Sequence, residues 1–369
     1  MIRVVICEDS KPDRELLGRM IRTADDIEVV GIAGSGEEVV DMIPDLEPDV
    51  LTMDIHLPGR SGISVIDELM AVNPLPILVI SDQAGRSEVA MEALASGAVD
   101  VSPKPELNAL EDFEAAAKEL TALIRIVARA KVIRHLRGRL QSDERPPPAS
   151  AAPPPVEPVG PARSSIPPEG SQIKPPSIEA DVLAIAASTG GPQALRQFLA
   201  GLPADFTKPT LVVQHIAKGF TEGFAQWLSA SIHLVVKLAD DGEVIEGGVV
   251  YVAPEGRHMI VRNGRVALEG NEPVGGHCPS ADVMFESLAS AYGKAVLAVI
   301  LTGMGRDGAT GMRAIHDSGG TTWVQDEASC AVFGMPKAAL DSGAVDAVIP
   351  LGAMAATVLS KMRGVSPVG

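Results

Sequence analysis

Val182-Leu183-Ala184-Ile185-Ala186-Ala187 runs without polar interruption into Ser188-Thr189-Gly190-Gly191-Pro192. A short apolar run bounded by turn formers reads as a strand buried on both faces. The glycines allow a sharp turn, and Pro192 suits the first turn of a helix. The stretch is therefore strand, turn and helix, with a serine at the turn. Two other apolar runs have the same form: Thr210 to Gln214 ends at His215, and residues 295–301 end in Thr302-Gly303-Met304-Gly305-Arg306-Asp307-Gly308. Strands of this kind alternating with helices predict an open, parallel α/β sheet, and such sheets build their sites along the edge formed by the strands' carboxyl ends. Delivered to that edge, Ser188, His215 and Asp307 suggest a nucleophile, a base and an orienting acid. Singly, each has a plainer reading: a phosphate-binding turn, a structural histidine, an Asx turn. Ala186-Ala187 precede Ser188, so the motif is not G-x-S-x-G, and the order Ser, His, Asp differs from that of the α/β-hydrolases. Geometry decides such a triad, not order.

The chain has 369 residues, enough for two domains each with its own core. Cys7, Cys278 and Cys330 lie far apart and form no C-x-x-C, which argues against a structural zinc site or a disulfide framework. The N-terminal apolar run meets Glu8-Asp9 too early for a secretory signal, and no apolar run approaches the ~18 residues of a membrane span. A soluble cytoplasmic protein without membrane insertion is the expectation. Net charge is −17, and residues 1–125 supply most of it, with 25 acidic against 10 basic side chains. That balance, and the lack of a terminal helix-turn-helix pattern, disfavours nucleic acid as a partner. Hydrophobic periodicity stops between Arg145 and Pro176, where 12 of the 29 prolines fall, so a semi-rigid linker is expected there. Before it, residues 120–140 are helix-compatible and basic, with Arg129, Lys131, Arg134, Arg137 and Arg139. The expected domains are 1–122, a basic helix and linker over 123–178, and 179–369.

In the first domain, strand patterns at 3–7, 28–33, 50–53, 77–80 and 100–101 alternate with amphipathic segments such as 11–23, 36–43 and 86–96, which predicts a doubly wound parallel sheet. Glu8 and Asp9 follow the first strand and Asp54 the third. Three carboxylates at one edge repel one another unless a hard cation joins them, and Mg²⁺ takes such oxygen ligands. Ser81 follows the fourth strand with a hydroxyl to donate. Lys104 follows the fifth with an ammonium that can pair with an added phosphate. In the second domain, strands at 183–187, 210–215, 249–253 and 296–301 and helices at 192–200 and 280–291 repeat the alternation, the last helix capped by Pro279-Ser280.

Glu8-Asp9, Asp54 within Val-Leu-Thr-Met-Asp-Ile-His-Leu-Pro-Gly, Ser81 and Lys104-Pro105 resemble the receiver domain of bacterial response regulators. The resemblance implies a flavodoxin-like fold, Asp54 as phosphoacceptor, and the backbone carbonyl of His56 beside Glu8, Asp9 and Asp54 around Mg²⁺. Val101 stands where the family often has a switch aromatic. Residues 181–363 resemble the catalytic domain of the chemotaxis protein-glutamate methylesterases, the CheB family. The match rests on Ala-Ser-Thr-Gly-Gly-Pro around Ser188, Val-Gln-His at His215, Leu-Thr-Gly-Met-Gly-Arg-Asp-Gly around Asp307, and Gln-Asp-Glu-Ala-Ser-Cys-Ala-Val-Phe-Gly-Met-Pro-Lys from Gln325. It implies a Rossmann-like domain with Ser188 as nucleophile, His215 as base and Asp307 orienting it, and with Thr189 and the Met304 amide supporting the oxyanion. It also implies glutamyl γ-methyl esters of chemoreceptors as substrate, glutamine deamidation by the same route, a chemotaxis histidine kinase as phosphodonor, and no cofactor for the esterase half. His277-Cys278-Pro279-Ser280 departs from the family, which commonly has arginine before the proline. A cysteine nucleophile at Cys278 is disfavoured, since neighbouring side chains seldom face each other and no third group is placed to orient the pair. A receiver that restrains the esterase until Asp54 is phosphorylated is the expected regulation. The alternative is a signalling adaptor whose esterase is idle.

Overall fold

The computed structural model of the protein describes residues 1–81, 87–105, 110–132 and 181–362. The proline-rich stretch and Arg134, Arg137 and Arg139 lie outside the described residues.

The first domain is a five-stranded parallel sheet, β1 (Ile2–Cys7), β2 (Ile27–Ala33), β3 (Val50–Met53), β4 (Ile77–Ser81) and β5 (Asp100–Pro103), in the order β2-β1-β3-β4-β5. Helices α1 (Lys11–Ile21), α2 (Gly36–Leu46), α3 (Gly62–Val72), α4 (Ser87–Ala95) and α5 (Leu110–Val127) complete the βα units. The strands β3 and β4 are buried at every residue, as parallel strands covered on both faces must be. Ser10 caps α1 by accepting from the Asp13 N–H, and Pro12 falls in its first turn, where a missing N–H costs nothing. Leu120, Ile124 and Val127 of α5 keep a helical spacing and pack into the core of the first domain.

The second domain holds a seven-stranded parallel sheet: β6 (Val182–Ala187), β7 (Thr210–Gln214), β8 (Val235–Leu238), β9 (Val249–Val252), β12 (Val296–Ile300), β13 (Thr321–Gln325) and β14 (Ala347–Ile349). Their order is β14-β13-β12-β6-β7-β9-β8. An antiparallel hairpin, β10 (His258–Arg262) with β11 (Arg265–Glu269), stands apart from it. Its two-residue turn is Asn263-Gly264, both at positive φ (51° and 71°), the chemistry of a type I′ turn. From β6 the chain continues to β7 on one side, whereas β12 pairs on the other. β6 and β12 therefore flank the point where strand order reverses, and the crevice beyond their carboxyl ends is the expected place for a site. Flanking helices include α6 (Gly191–Ala200), α7 (Thr221–Ser231), α8 (Ala281–Tyr292) and α9 (Ala309–Asp317).

The two domains touch along this crevice. Gln193 Nε2 of α6 donates to the Leu94 carbonyl of α4. Past the end of α5, the Lys131 N–H donates to Ala331 O (3.1 Å) and its Nζ to Glu327 O (3.0 Å). A cavity of about 390 Å³ remains between the domains, with Gly97 and Lys131 on one side and Gly190, Gln193 and Thr302 on the other.

Candidate active site

Ser188, His215 and Asp307 come from the ends of β6, β7 and β12, three adjacent strands. Ser188 is half-buried; its N–H donates to Thr302 O (3.1 Å), which ties the β6 turn to the loop after β12. Gly190 has φ +74°, and a Cβ there would meet Ala331 Cβ at 2.6 Å. A Cβ on Gly303 would fall 2.7 Å from Ser188 Cβ, so glycine lets the loop that carries Met304 pass directly over the serine. Buried Gln214 braces the turn: its Nε2 donates to the carbonyls of Ser188 (2.9 Å) and His215 (2.7 Å). Gln325, at the end of β13, accepts from the Thr302 N–H (2.8 Å) and fixes the facing loop. The sequence singled out neither glutamine. The available signal was a polar residue closing an otherwise apolar run.

The His215 ring is half-buried, with Nε2 2.9 Å from Asp307 Oδ2, and among the described residues neither ring nitrogen completes an aligned hydrogen bond. Asp307 sits at the amino end of α8, where it accepts from Ser280 Oγ (2.8 Å) and from the backbone N–H groups of Ala281 (2.7 Å) and Asp282 (3.1 Å). Burial alone would push this carboxyl up, but the His215 ring and those donors outweigh it and hold it at about 2. Asp307 is thus a fixed anion beside the imidazole of His215. Thr189 is buried, and its side chain stands beside the Asp100 carboxylate of the first domain. Burial raises Asp100 to about 6, against the lowering effect of Thr189 and the Val101 N–H. Met304 is exposed beside the serine turn. Burial also raises the Cys278 thiol, which keeps it protonated and a weak nucleophile.

In the receiver domain, carboxylate oxygens of Glu8, Asp9 and Asp54 lie within 4.8 Å of one another. Glu8 and Asp54 are buried and Asp9 is exposed. Lys104 Nζ reaches Asp54 Oδ2 (2.8 Å), Glu8 Oε1 (3.0 Å) and Asp13 Oδ2 (3.3 Å). Burial would lower the lysine, but the two buried carboxylates hold it above its ordinary value. Burial, with Asp54 nearby, raises Glu8 to about 7 despite Lys104. The His56 N–H donates to Asp54 Oδ1 (3.1 Å). Ser81 is fully buried, and its hydroxyl has no hydrogen-bond partner among the described residues. Val101 is buried as a core residue.

Residues 4–116 match the family model of the response regulator receiver domain, and residues 183–358 match that of the CheB methylesterase. The chain is 42% identical over 351 residues to protein-glutamate methylesterase/protein-glutamine glutaminase 2 of Anaeromyxobacter dehalogenans, covering 95% of this chain and 94% of that one. It is 41% identical over 365 residues to protein-glutamate methylesterase/protein-glutamine glutaminase 4 of Myxococcus xanthus, covering 98% of each. Among solved structures, the Thermotoga maritima CheB methylesterase catalytic domain is 36% identical, with a TM-score of 0.48, over 50% of this chain and 99% of that chain. Among the described residues no helix is long and apolar enough to cross a membrane. With relatives this similar over nearly its whole length, the chain belongs to the protein-glutamate methylesterase/protein-glutamine glutaminase family, a receiver domain preceding its CheB methylesterase domain.

Proposed function

We propose that the protein is a phosphorylation-regulated esterase that hydrolyses glutamyl γ-methyl esters on chemoreceptors and deamidates receptor glutamines, in three units spanning 1–122, 123–178 and 179–369. The observation that supports this reading is the position of Ser188, His215 and Asp307 after three neighbouring strands, with His215 Nε2 2.9 Å from a carboxylate that is already anchored by a helix end. Ser188 Oγ attacks the ester carbonyl while His215 Nδ1 takes the hydroxyl proton, and Asp307 steadies the resulting imidazolium. The oxyanion that forms is received by the Met304 amide and by Thr189. Collapse breaks the C–O bond, and His215 returns its proton to the departing methanol. Water then attacks the acyl-enzyme, gives a proton to His215, and releases the glutamyl carboxylate with Ser188 restored. A glutamine side chain follows the same steps and releases ammonia. An adaptor with an idle esterase does not account for this alignment.

In the receiver, Asp54 accepts the phosphoryl group from a chemotaxis histidine kinase. The donor set suits a hard divalent cation: Glu8, Asp9, Asp54 and the His56 carbonyl would hold Mg²⁺, which when bound would neutralise charge on the phosphoryl oxygens. Ser81 donates to an oxygen of the phosphoryl group, and Lys104 exchanges its carboxylate contacts for it. The contact between Asp100 and Thr189 supports restraint of the esterase by the docked receiver, because it involves a side chain assigned to the oxyanion. Phosphorylation shifts the population toward release. A fluorophosphonate probe of serine hydrolases tests the nucleophile: mass spectrometry should place its adduct on Ser188, and an adduct elsewhere, or none, contradicts the assignment.

A further inference from the structure

His277 lies outside the three-residue constellation, yet its ring stacks on that of His215 with centroids 4.0 Å apart and planes 3° from parallel. We propose that His277 is a positioning residue for His215, supplying a flat face that fixes the plane of the imidazole. The assignment rests on the esterase reading above.

The local backbone is built for this. Val274 and His277 exchange both backbone hydrogen bonds (3.0 and 3.1 Å) across Gly275-Gly276, whose φ values of 62° and 91° are those of a tight two-residue turn. Three residues beyond His277, the same segment has become the amino end of α8, with Ser280, Ala281 and Asp282 holding Asp307. One short stretch of chain therefore sets both restraints on His215: the anion at Nε2 and the ring on one face. The 2.9 Å contact between Nε2 and Asp307 Oδ2 alone leaves the ring free to swing about it. A parallel ring at 4.0 Å removes the swing.

The charge state of His277 matters as much as its shape. Burial lowers its pKa, and His215 lowers it further, against a raising effect of Asp307. A neutral π-face over His215 tolerates and favours the imidazolium formed when Ser188 gives up its proton. A cation in the same place opposes it across a gap of 4.0 Å. His277→Phe keeps the face and cannot be charged; His277→Ala removes the face; His277→Lys replaces it with a cation.

The experiment is steady-state methanol release from a methylated receptor by the full chain and these three variants, with kcat and KM resolved. His277→Ala should lose kcat on the order of tenfold with KM nearly unchanged. His277→Phe should restore kcat to within about threefold of wild type, and His277→Lys should fall at least as far as the alanine variant. Unchanged kcat in His277→Ala, or a rise in KM alone, overturns the proposal. So does a phenylalanine variant as slow as the alanine one, which would mean that a ring nitrogen acts instead, or a lysine variant as fast as the phenylalanine one. If His277→Ala loses its cooperative thermal melt, the Phe and Lys pair decides. Wild-type turnover in the same assay separates the two levels: no methanol from wild type refutes the esterase reading itself.

Discussion

Asp307 is charged and nearly surrounded by donors, so its removal has two readable effects. Asp307→Asn keeps the shape but accepts less and leaves His215 without its anion, and turnover should fall by about 10³–10⁴ in the methanol assay. The second effect is on stability. The carboxyl is held at about 2, below the ordinary 3.8. A depressed folded-state pKa stabilises the fold above the unfolded value and loses that contribution as pH falls through the folded one. Roughly 2 kcal/mol should therefore be present above about pH 4 and vanish toward pH 2. Acid unfolding followed by circular dichroism should show that component in wild type and lack it in Asp307→Asn. At this scale Ser188, His215, Asp307, Asp54 and Lys104 stand out as candidates because each directly follows a strand or sits in the loop after one. Gln214, Ser280, Asp100 and His277 were not singled out as parts of the site. Their roles arise from contacts between distant segments, and nothing in their immediate sequence announces the partner.

Between β6 and α6 the chain must turn within three residues and bring a serine out of a buried strand. Gly191 is the tightest point, since a Cβ there would lie 2.1 Å from Gln214 Oε1 and 2.8 Å from Ala187 Cβ. Gly191→Ala displaces the glutamine that braces Ser188 and His215. A shift of about 1 Å at the nucleophile costs about 10²-fold, and kcat should fall by that order. The thermal melt of this variant, measured beside kcat, checks that the fold remains. A second element-scale test is Ser280→Ala, which removes the cap of α8 and one donor to Asp307. A lost cap costs about 1 kcal/mol, read as a lower midpoint in urea. The central parallel strands were legible as uninterrupted apolar runs. The hairpin β10–β11 carried an Asn263-Gly264 signal that went unused, because the flanking runs alternate only briefly. Edge strands β8 and β14, four and three residues long, have no pattern of their own and exist through pairing with β9 and β13.

In the whole molecule, the order of domains could be read along the chain, but their docking could not. The interface draws on α4, the start of β5 and the residues after α5, facing α6, α7 and the loop after β13. No single stretch of sequence carries that surface. Asp100→Ala should weaken docking on the order of 1 kcal/mol and raise the unphosphorylated esterase rate several-fold. Deleting residues 1–145 should raise it further, and an unchanged rate in both would refute restraint by the receiver. Asp54→Asn should abolish the response to a small-molecule phosphodonor while the unphosphorylated rate persists. The account as a whole stands on Ser188 as the nucleophile of an ester hydrolase. Methanol release from a methylated receptor, compared between wild type and Ser188→Ala, tests that claim most directly. A fall of about 10⁴–10⁶ is predicted, and equal release from the two proteins would contradict it.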